Sequence, residues 1–366
     1  MKVICGGIEL REAAVKVFKA CAARSTNPML ECIKLEARGG VFKLSATDLE
    51  LGIEKSIPAS TPIEGDAVVT GTFFKDFVSK LSYEQIEMSL NDNVLRIKYG
   101  DSNGKLMTMP SADFPRIREV AKEQHFIIQK KDLRELVGKV AFSAGTDDYR
   151  PVLKGVLVEI EDGGAAAVAL DGYRLAKCER PIVSTTAKMS AIVPARSLKE
   201  VVSILDGEDE PVTVYVQKNY LMVDLGHTKI TTRLLDGDFV NYKNIIPARF
   251  DTTTVVPKSS FADGLERAKL LSRNDRNSMV RFDVKDKCLT ITSTSELGNL
   301  NENILIHTTG KDLSIAFNAN YLTDILKFID TDTVTLKYIN STSPVVITPT
   351  SAAEDLLYLV LPVRLV

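Results

Sequence analysis

The chain has 366 residues, of which 45% are hydrophobic and 26% are charged, and its formal net charge is −2. This length is enough to bury two or three separate hydrophobic cores. A net charge near zero excludes a generally basic surface, so an anionic partner would have to meet local clusters of Lys and Arg.

The chain shows no sign of a membrane or secreted class. No stretch is apolar for long enough to be a signal peptide or a membrane span. The five cysteines are scattered and include no CxxC pair, a pattern typical of reduced thiols. We therefore expect a cytoplasmic protein.

The first third of the chain reads as a helix, a pair of strands, a second helix and a hairpin. Apolar residues at helical spacing predict helices in IELREAAVKVFKACAAR, from Ile8, and in FKDFVSKLS, from Phe74. Alternation predicts two strands in FKLSATDLELGIEKSI, from Phe42, and two more in IEMSL and VLRIKY, which flank Asn91-Asp92-Asn93.

The same order of elements returns twice. The second helix recurs at intervals of about 124 residues, with the same apolar positions and an acidic third residue. The later copies of the first helix, strand pair and second helix are KDLRELVGKVAFSA from Lys131, AAVALDGYRLAKCERPI from Ala166 and LKEVVSILD from Leu198, then SSFADGLERAKLLSRN from Ser259, LTITSTSELGNLNENILI from Leu289 and LTDILKFID from Leu322. We therefore predict an α+β protein of three repeated domains, residues 1–121, 122–248 and 249–366.

Catalytic signatures are missing from the sequence. It carries no phosphate-binding glycine loop, HExxH or GxSxG motif, and its three histidines stand alone in strand-like contexts. Asp48 and Asp171 occupy equivalent places in two modules, but the third module has Ser295 there. Such a position fits a side chain that holds a turn better than an acid/base pair. An enzyme that uses Asp171, Tyr173 and Arg174 stays open as one alternative.

Several segments carry a resemblance that covers essentially the whole chain. SATDLELGI, RPVLKGVLVEI with LDGYRLA, and the terminal YLVLPVRL occur in this order, and DFP-type segments follow the last strands of the first two modules. Together with the threefold repeat, they resemble the bacterial DNA sliding clamp family, the beta subunit of DNA polymerase III. The resemblance implies three domains of the clamp fold, each with two helices on antiparallel sheets, that form half of a ring.

The family resemblance also implies a function. Two chains would close head to tail into a homodimeric ring around duplex DNA, with helices lining the hole. Replicative DNA polymerase, the clamp loader and other proteins would dock on one face through short peptides. Such a clamp is a non-catalytic processivity factor that needs no cofactor and no metal. A three-module interaction scaffold that does not encircle DNA is the other alternative.

A tether that moves along DNA needs Lys and Arg directed at phosphates, without contacts to base edges. The predicted helices carry such groups at Lys16, Lys19, Lys75, Lys80, Arg134, Lys139, Arg196, Lys199, Arg267, Lys269 and Arg273. A charged helix face is also typical of an ordinary solvated surface, so the residues alone leave DNA contact open. The resemblance implies DNA contacts at Arg24, Lys75, Lys80, Tyr149, Arg150, Arg196 and Lys199.

The resemblance further implies an apolar cleft between domains two and three that binds partner peptides. Its positions are Leu153, Leu170, Gly172, Tyr173, Arg174, Leu175, Val240, Ile245, Asn318, Tyr321, Val360, Leu361, Pro362, Val363 and Arg364. We expect Leu175, Val360 and Leu361 as its floor, Pro362 and Val363 as its wall, and Arg174 and Arg364 at its rim. Leu170, Val240 and Asn244 stand where many relatives have Thr, Pro and a basic residue. From the residues alone, a last strand packed in a core is the favoured interpretation of VLPVRLV.

The contact that closes the ring is the third implication of the resemblance. Leu270 and Leu271 match apolar positions that face a strand of domain one in the other chain, and Leu106 is the matching residue on that strand. Gly104 occupies a place where relatives carry a large apolar group. This exchange predicts a weaker or differently packed interface.

Overall fold

The computed structural model describes residues 1–161, 163–271, 278–296, 298–350 and 355–364. The chain folds as two compact units. Unit one contains Met1–Lys130, Ile182–Met189 and Arg196–Leu234, and unit two contains the described residues of Lys131–Pro181, Ser190–Ala195 and Leu235–Val366. Within the described ranges, no helix is both long enough and apolar enough to cross a membrane.

The helices and strands repeat in the predicted order. The first module contains β1 (Lys2–Gly6), α1 (Gly7–Phe18), β2 (Cys32–Arg38), β3 (Val41–Thr47), β4 (Leu51–Ile63), β5 (Gly65–Thr70), α2 (Gly71–Ser79), β6 (Gln85–Asn91), β7 (Val94–Tyr99) and β8 (Ser102–Met107). The second contains β9 (His125–Gln129), α3 (Lys130–Gly138), β10 (Gly155–Glu161), β11 (Gly164–Leu170), β12 (Arg174–Pro181), β13 (Ser184–Thr185), β14 (Met189–Pro194), α4 (Ala195–Ile204), β15 (Pro211–Gln217), β16 (Tyr220–Asp224) and β17 (Thr228–Arg233). The third contains β18 (Thr252–Pro257), α5 (Lys258–Leu271), β19 (Met279–Lys285), β20 (Cys288–Ser295), β21 (Gly298–Leu305), β22 (His307–Gly310), β23 (Leu313–Asn318), α6 (Ala319–Leu326), β24 (Thr333–Tyr338), β25 (Val345–Pro349) and β26 (Leu356–Val360).

The first helix of each module buries the same four positions. These are Leu10, Ala13, Ala14 and Val17 in α1, Leu133, Leu136, Val137 and Val140 around α3, and Phe261, Gly264, Leu265 and Ala268 in α5. The spacing is that of one apolar face of an α-helix, as the sequence predicts. Burial of this face against the strands holds each helix in place, because isolated helices of this length are marginal in water.

The ends of the helices differ from the sequence-based expectation. We expected the first helix to reach Arg24, but α1 ends at Phe18. The N–H groups of Lys19 and Ala20 bond three residues back, at 3.3 and 3.0 Å, which tightens the last turn and ends the helix. Cys21 is buried and continues the apolar pattern without being helical.

Unit one contains one large antiparallel sheet. Among the described residues its main path runs β13-β9-β15-β16-β17-β4-β1-β6-β7-β8, and β3 pairs with β4 beside this path. The step from β17 to β4 joins the last strand of the second module to the fourth strand of the first. In this pair Thr232 lies opposite Leu51 and Ile230 lies opposite Ile53.

Unit two repeats this connection one module later. Its larger described sheet runs β14-β10-β11-β12-β26-β25-β24-β18-β22, and a smaller one runs β21-β20-β19-β23. Here β26, the last strand of the third module, pairs with β12, the fourth strand of the second. Val360 lies opposite Arg174 and Tyr358 lies opposite Ala176. We call each such pairing of a fourth strand with the next module's last strand a module junction.

Candidate functional site

A carboxylate holds the turn between the third and fourth strands in two modules. Asp171 Oδ1 accepts hydrogen bonds from the N–H groups of Tyr173 and Arg174 at 2.9 and 3.0 Å. Asp48 Oδ1 accepts from Glu50 and Leu51 at 3.0 and 2.8 Å in the same way. The prediction that this position serves a turn is confirmed.

The third module makes the same connection without a carboxylate. Ser295 lies opposite Gly298, so the hairpin between β20 and β21 is tighter than in the other modules. The turn carboxylate is therefore needed only where the loop is longer. Since Asp171 is committed to its turn, the enzyme alternative loses its candidate acid.

Arg174 is a support inside unit two and not a rim residue. Its Nε bonds Asp171 Oδ2 at 3.1 Å, one terminal nitrogen bonds Asp324 Oδ2 at 3.0 Å, and the other bonds Phe142 O at 3.0 Å. Its guanidinium carbon also lies 4.8 Å from the centroid of the Tyr321 ring. The side chain is only 12% exposed. The expectation that Arg174 lies at the rim is wrong, because the side chain is largely buried and three of its five N–H groups bond to unit two.

The charge of Arg174 also acts on α6. Burial tends to raise the pKa of Asp324, but the hydrogen bonds from Arg174 and Lys327 outweigh it and hold that pKa below its ordinary value. The turn of Asp171 and the helix that carries Asp324 are thus tied to one cation.

Three of the predicted pocket residues share one apolar cluster. Leu153, Leu170 and Leu175 are buried within it, and Ile245 packs against it from the loop that follows the second module. A cavity of about 550 Å³ is lined by the cluster members Ile246, Phe250, Val346 and Leu357, but none of the predicted pocket residues lines it. The assignment of Leu153, Leu170, Leu175 and Ile245 to the floor of a partner-peptide pocket stays a prediction.

Val360 faces away from this floor. Leu175 lies opposite Leu359 across the strand pair, whereas Val360 lies opposite Arg174. Since side chains alternate between the two faces of a sheet, Leu175 and Leu359 share one face and Val360 shares the other with Arg174. The expectation that Val360 is part of the floor is wrong, and Leu359 takes that place.

The chain segment after β26 is tied to its surroundings by backbone hydrogen bonds. The N–H of Leu361 donates to Tyr173 O at 2.9 Å, and the N–H of Val363 donates to Ala316 O at 2.8 Å. Leu361 is still 37% exposed. An apolar side chain held near the cluster by fixed backbone is suited to contact a bound peptide.

Aromatic and polar groups stand beside the terminal segment. The rings of Tyr173 and Tyr321 stack with their centroids 6.3 Å apart, and Tyr173 is 62% exposed. Burial raises the pKa of the Tyr321 hydroxyl. Asn318 caps α6 by accepting from the N–H of Asn320 at 2.9 Å. Asn318 therefore has a structural role, and Tyr173 is the exposed ring of this group.

The remaining pocket positions are spread over the surface. Val240 is 42% exposed and is not a member of the apolar cluster. Arg364 and Asn244 are exposed, Pro362 is half-buried, and Gly172 takes a φ of 94°, which favours glycine. These residues stay predictions as contacts to a partner.

Sequence reasoning missed most members of the cluster. The missed buried members are Leu157, Val168, Ile192, Tyr242, Val346 and Leu359. The two-residue alternation of β26 could have indicated Leu359, since it selects one face of the strand. Tyr242 gave no such signal, because its hydroxyl bonds Glu159 Oε2 at 2.7 Å across a long sequence separation.

The predicted DNA contacts are exposed to different degrees. Arg24, Lys80, Lys199, Tyr149 and Arg150 are exposed. Arg196 bridges Asp48 at 2.9 Å and Lys75 bridges Asp76 at 2.7 Å. Other basic residues named from the helix pattern are neutralised: Lys16 pairs with Asp206, Lys19 with Glu200 and Lys139 with Asp330. Arg273 lies outside the described residues.

Of the predicted dimer residues, Leu106 lies on β8 at the end of its described sheet, and Leu270 and Leu271 lie at the end of α5. Leu270 is 69% exposed, and Leu271 and Leu106 are half-buried. Gly104 leaves room for an aromatic ring, since a Cβ there would lie 3.1 Å from the tip of Phe77. The ring of Phe77 stacks on Phe73 at 6.1 Å and meets the edge of Tyr99 at 5.8 Å.

Comparison with known proteins identifies the fold. Profiles of the N-terminal, central and C-terminal domains of the DNA polymerase III beta subunit match residues 1–118, 127–241 and 243–364. The beta sliding clamp of Halalkalibacterium halodurans is 31% identical over 363 residues, which cover 95% of each chain. The chain belongs to the DNA polymerase III beta subunit family. Sliding clamps of this family are accessory processivity factors without a reaction of their own.

Solved clamp structures superpose over the full chain. The beta subunit of Thermotoga maritima is 30% identical, with a TM-score of 0.94 and complete coverage of both chains. The sliding clamp of Pseudomonas aeruginosa bound to griselimycin is 26% identical, with a TM-score of 0.94 and the same coverage. The prediction of a three-domain clamp fold is confirmed; its exact domain boundaries stay a prediction.

The buried role of Arg174 can be measured. The substitution Arg174→Ala removes the partner of two carboxylates, and we expect the free energy of unfolding to fall by about 2–4 kcal/mol in urea denaturation. The control Arg364→Ala removes an exposed side chain and should change it by less than about 0.5 kcal/mol. Equal effects of the two changes would restore Arg174 to the rim.

Proposed function

We propose that the chain acts as a DNA sliding clamp, in which two copies close head to tail around duplex DNA and tether polymerases and the clamp loader through a peptide pocket in unit two. The protein would work in the cytoplasm on the chromosome. The family assignment supports the clamp function, and the module junctions support the closed ring.

The proposal of a closed ring rests on one module junction that the chain does not form by itself. Two junctions are made within the chain, β4 with β17 and β12 with β26. The remaining fourth strand is β21 and the remaining last strand is β8, and each ends its described sheet. An exposed strand edge is a template for pairing with another chain. A second copy would fill both edges at once, and the result would be closed.

The repeat also predicts the register of this pairing. Leu106, Thr232 and Val360 hold equivalent positions, because they lie opposite Leu95, Leu221 and Val345 in their hairpins. Gly298 is the counterpart of Leu51 and Arg174. Leu106 would therefore lie opposite Gly298 of the second copy, and Gly104 would lie opposite Leu300.

This register brings apolar groups together on the helix side of the sheet. Leu300 is half-buried, and it would meet the ring of Phe77 over Gly104. Leu270 and Leu271 on α5 would add to the same contact. The large group that relatives carry at residue 104 would thus be replaced by an aromatic ring from α2 and a leucine from the partner.

The pocket in unit two suits a short peptide with one or two apolar anchors. The buried leucines, the exposed Leu361 and the ring of Tyr173 offer an apolar surface, and the neighbouring backbone is already fixed. A peptide that becomes ordered on binding loses conformational entropy. This loss offsets part of the binding free energy from apolar contact, so we expect micromolar affinity. A scaffold that does not encircle DNA would leave the outer edges of β8 and β21 unpaired.

Cysteine pairs would test the ring and its register. Asn103 and Asn301 would lie directly opposite each other between copies, at a distance that suits a disulfide. We expect Asn103→Cys with Asn301→Cys to give a covalent dimer on mild oxidation. The control pair Asn103→Cys with Asn303→Cys is out of register by two residues and should link poorly. Cross-linking of the control pair alone would contradict the register, and a monomer at micromolar concentration would contradict the ring.

Peptide binding would test the pocket. We expect Leu361→Asp to weaken a polymerase-derived clamp-binding peptide by about 10-fold or more, because it places a charge on an apolar contact. Deletion of all residues from Leu361 onward should abolish binding and leave the dimer intact. The control Leu49→Asp changes another exposed leucine, far from the pocket in the sequence. Calorimetric titration that gave equal affinities for wild type and truncation would refute the site.

Salt dependence would test the DNA contacts. We expect the triple change of Arg24, Lys80 and Lys199 to Ala to flatten the plot of log affinity against log salt by about 0.9 for each phosphate that is no longer neutralised. No base preference should change, since such contacts carry no sequence information. The control changes Arg96, Lys98 and Lys285, which are exposed on strands. An equal reduction of the slope in the control would contradict the assignment of Arg24, Lys80 and Lys199 as DNA contacts.

A further inference from the structure

Each internal module junction is accompanied by an ion pair between residues that lie on a helix or just after one. In unit one, Lys16 Nζ lies 2.6 Å from Asp206 Oδ2, and in unit two Lys139 Nζ lies 2.9 Å from Asp330 Oδ2. The two lysine side chains are only 16% and 14% exposed. The hydrogen bond from Lys16 holds the pKa of Asp206 below its ordinary value.

The two ion pairs use equivalent positions of the repeat. Each lysine directly precedes the fourth residue of the buried stripe described above for the first helices, which is Val17 in one module and Val140 in the next. Each aspartate directly follows the last buried residue of the second-helix stripe, which is Leu205 in one module and Ile329 in the next. The repeat therefore places a cation and a carboxylate at the same point of both internal junctions.

The third pair of positions is filled differently. Arg267 directly precedes the buried Ala268 in α5, so a cation is kept. Ser82 directly follows the buried Leu81 after α2, and its exposed hydroxyl stands where the other modules have a carboxylate. These two residues would meet only between chains.

Arg267 is held by its own chain instead. Its Nε lies 2.7 Å from Glu302 Oε1, and a terminal nitrogen lies 2.9 Å from Glu302 Oε2, which is a two-pronged pair on β21. The Arg267 side chain is 52% exposed. Glu302 thus already neutralises the Arg267 guanidinium within the same chain.

We infer that the contact between chains lacks the ion pair that accompanies both internal junctions, because serine stands at position 82 and Glu302 of the same chain holds Arg267. This inference rests on the proposed homodimer. The contact between chains then lacks one polar interaction that stabilises both internal junctions. A carboxylate at position 82 of one copy would complete the third ion pair with Arg267 of the other.

The test installs the missing acid. We expect Ser82→Asp to lower the dimer dissociation constant by about 2- to 30-fold at low salt, because an exposed ion pair contributes modestly and a closed dimer contains two. The gain should shrink at high salt. Ser82→Asn is the neutral control of matched shape, and Ser82→Glu is a second acid if the aspartate disturbs folding. Sedimentation and dilution series would give the constants.

A double-mutant cycle separates this pair from other effects. In an Arg267→Gln background the gain from Ser82→Asp should disappear, whereas in a Glu302→Gln background it should grow because Arg267 is released. A gain that persists without Arg267 would assign the effect to another group, such as Lys80 on the same chain, and would overturn the inference. An unchanged constant in a dimeric wild type would also overturn it and leave the ring standing. A monomeric wild type would overturn both.

Discussion

The fold depends on one constraint, which is that a strand edge must find a partner. Each module ends in two edges, one on its fourth strand and one on its last, and each edge carries a row of unpaired N–H and C=O groups. The chain satisfies these edges by pairing β4 with β17 and β12 with β26. Backbone pairing does not depend on particular side chains, so modules of different sequence can join in the same geometry. Side chains are then free to give each junction its own property.

The two internal junctions carry different side chains at equivalent positions. Leu175 of the second module contributes to the apolar cluster of unit two, and its counterpart in the first module is Gly52. A Cβ at Gly52 would lie 2.8 Å from the side chain of Ile117, so the chain itself covers that place. A leucine at one junction and a covered glycine at the other would explain why the proposed peptide pocket belongs to only one of them.

The sequence predicts the repeat well because the elements of each module follow from local residue patterns. Helix stripes, two-residue hairpin loops and the turns of Asp48 and Asp171 all depend on residues close together in the chain. The errors at Arg174 and Val360 have a different origin. Which face of β26 meets the pocket is decided by its register against β12, more than a hundred residues away in the chain. An error of one residue in such a register moves every side chain to the other face.

The charge that the helix lysines offer to a partner also could not be predicted from the sequence. A count of Lys and Arg on the helices treats Lys16, Lys139 and Lys80 alike, but the first two are paired with carboxylates of the next module. Their charge stabilises junctions and adds little to the attraction for phosphate. The positive field of the helix lysines is therefore weaker than the sequence suggests. A weak, sequence-blind field would suit the proposed clamp, because strong phosphate contacts would resist movement, whereas a closed ring would hold DNA without them.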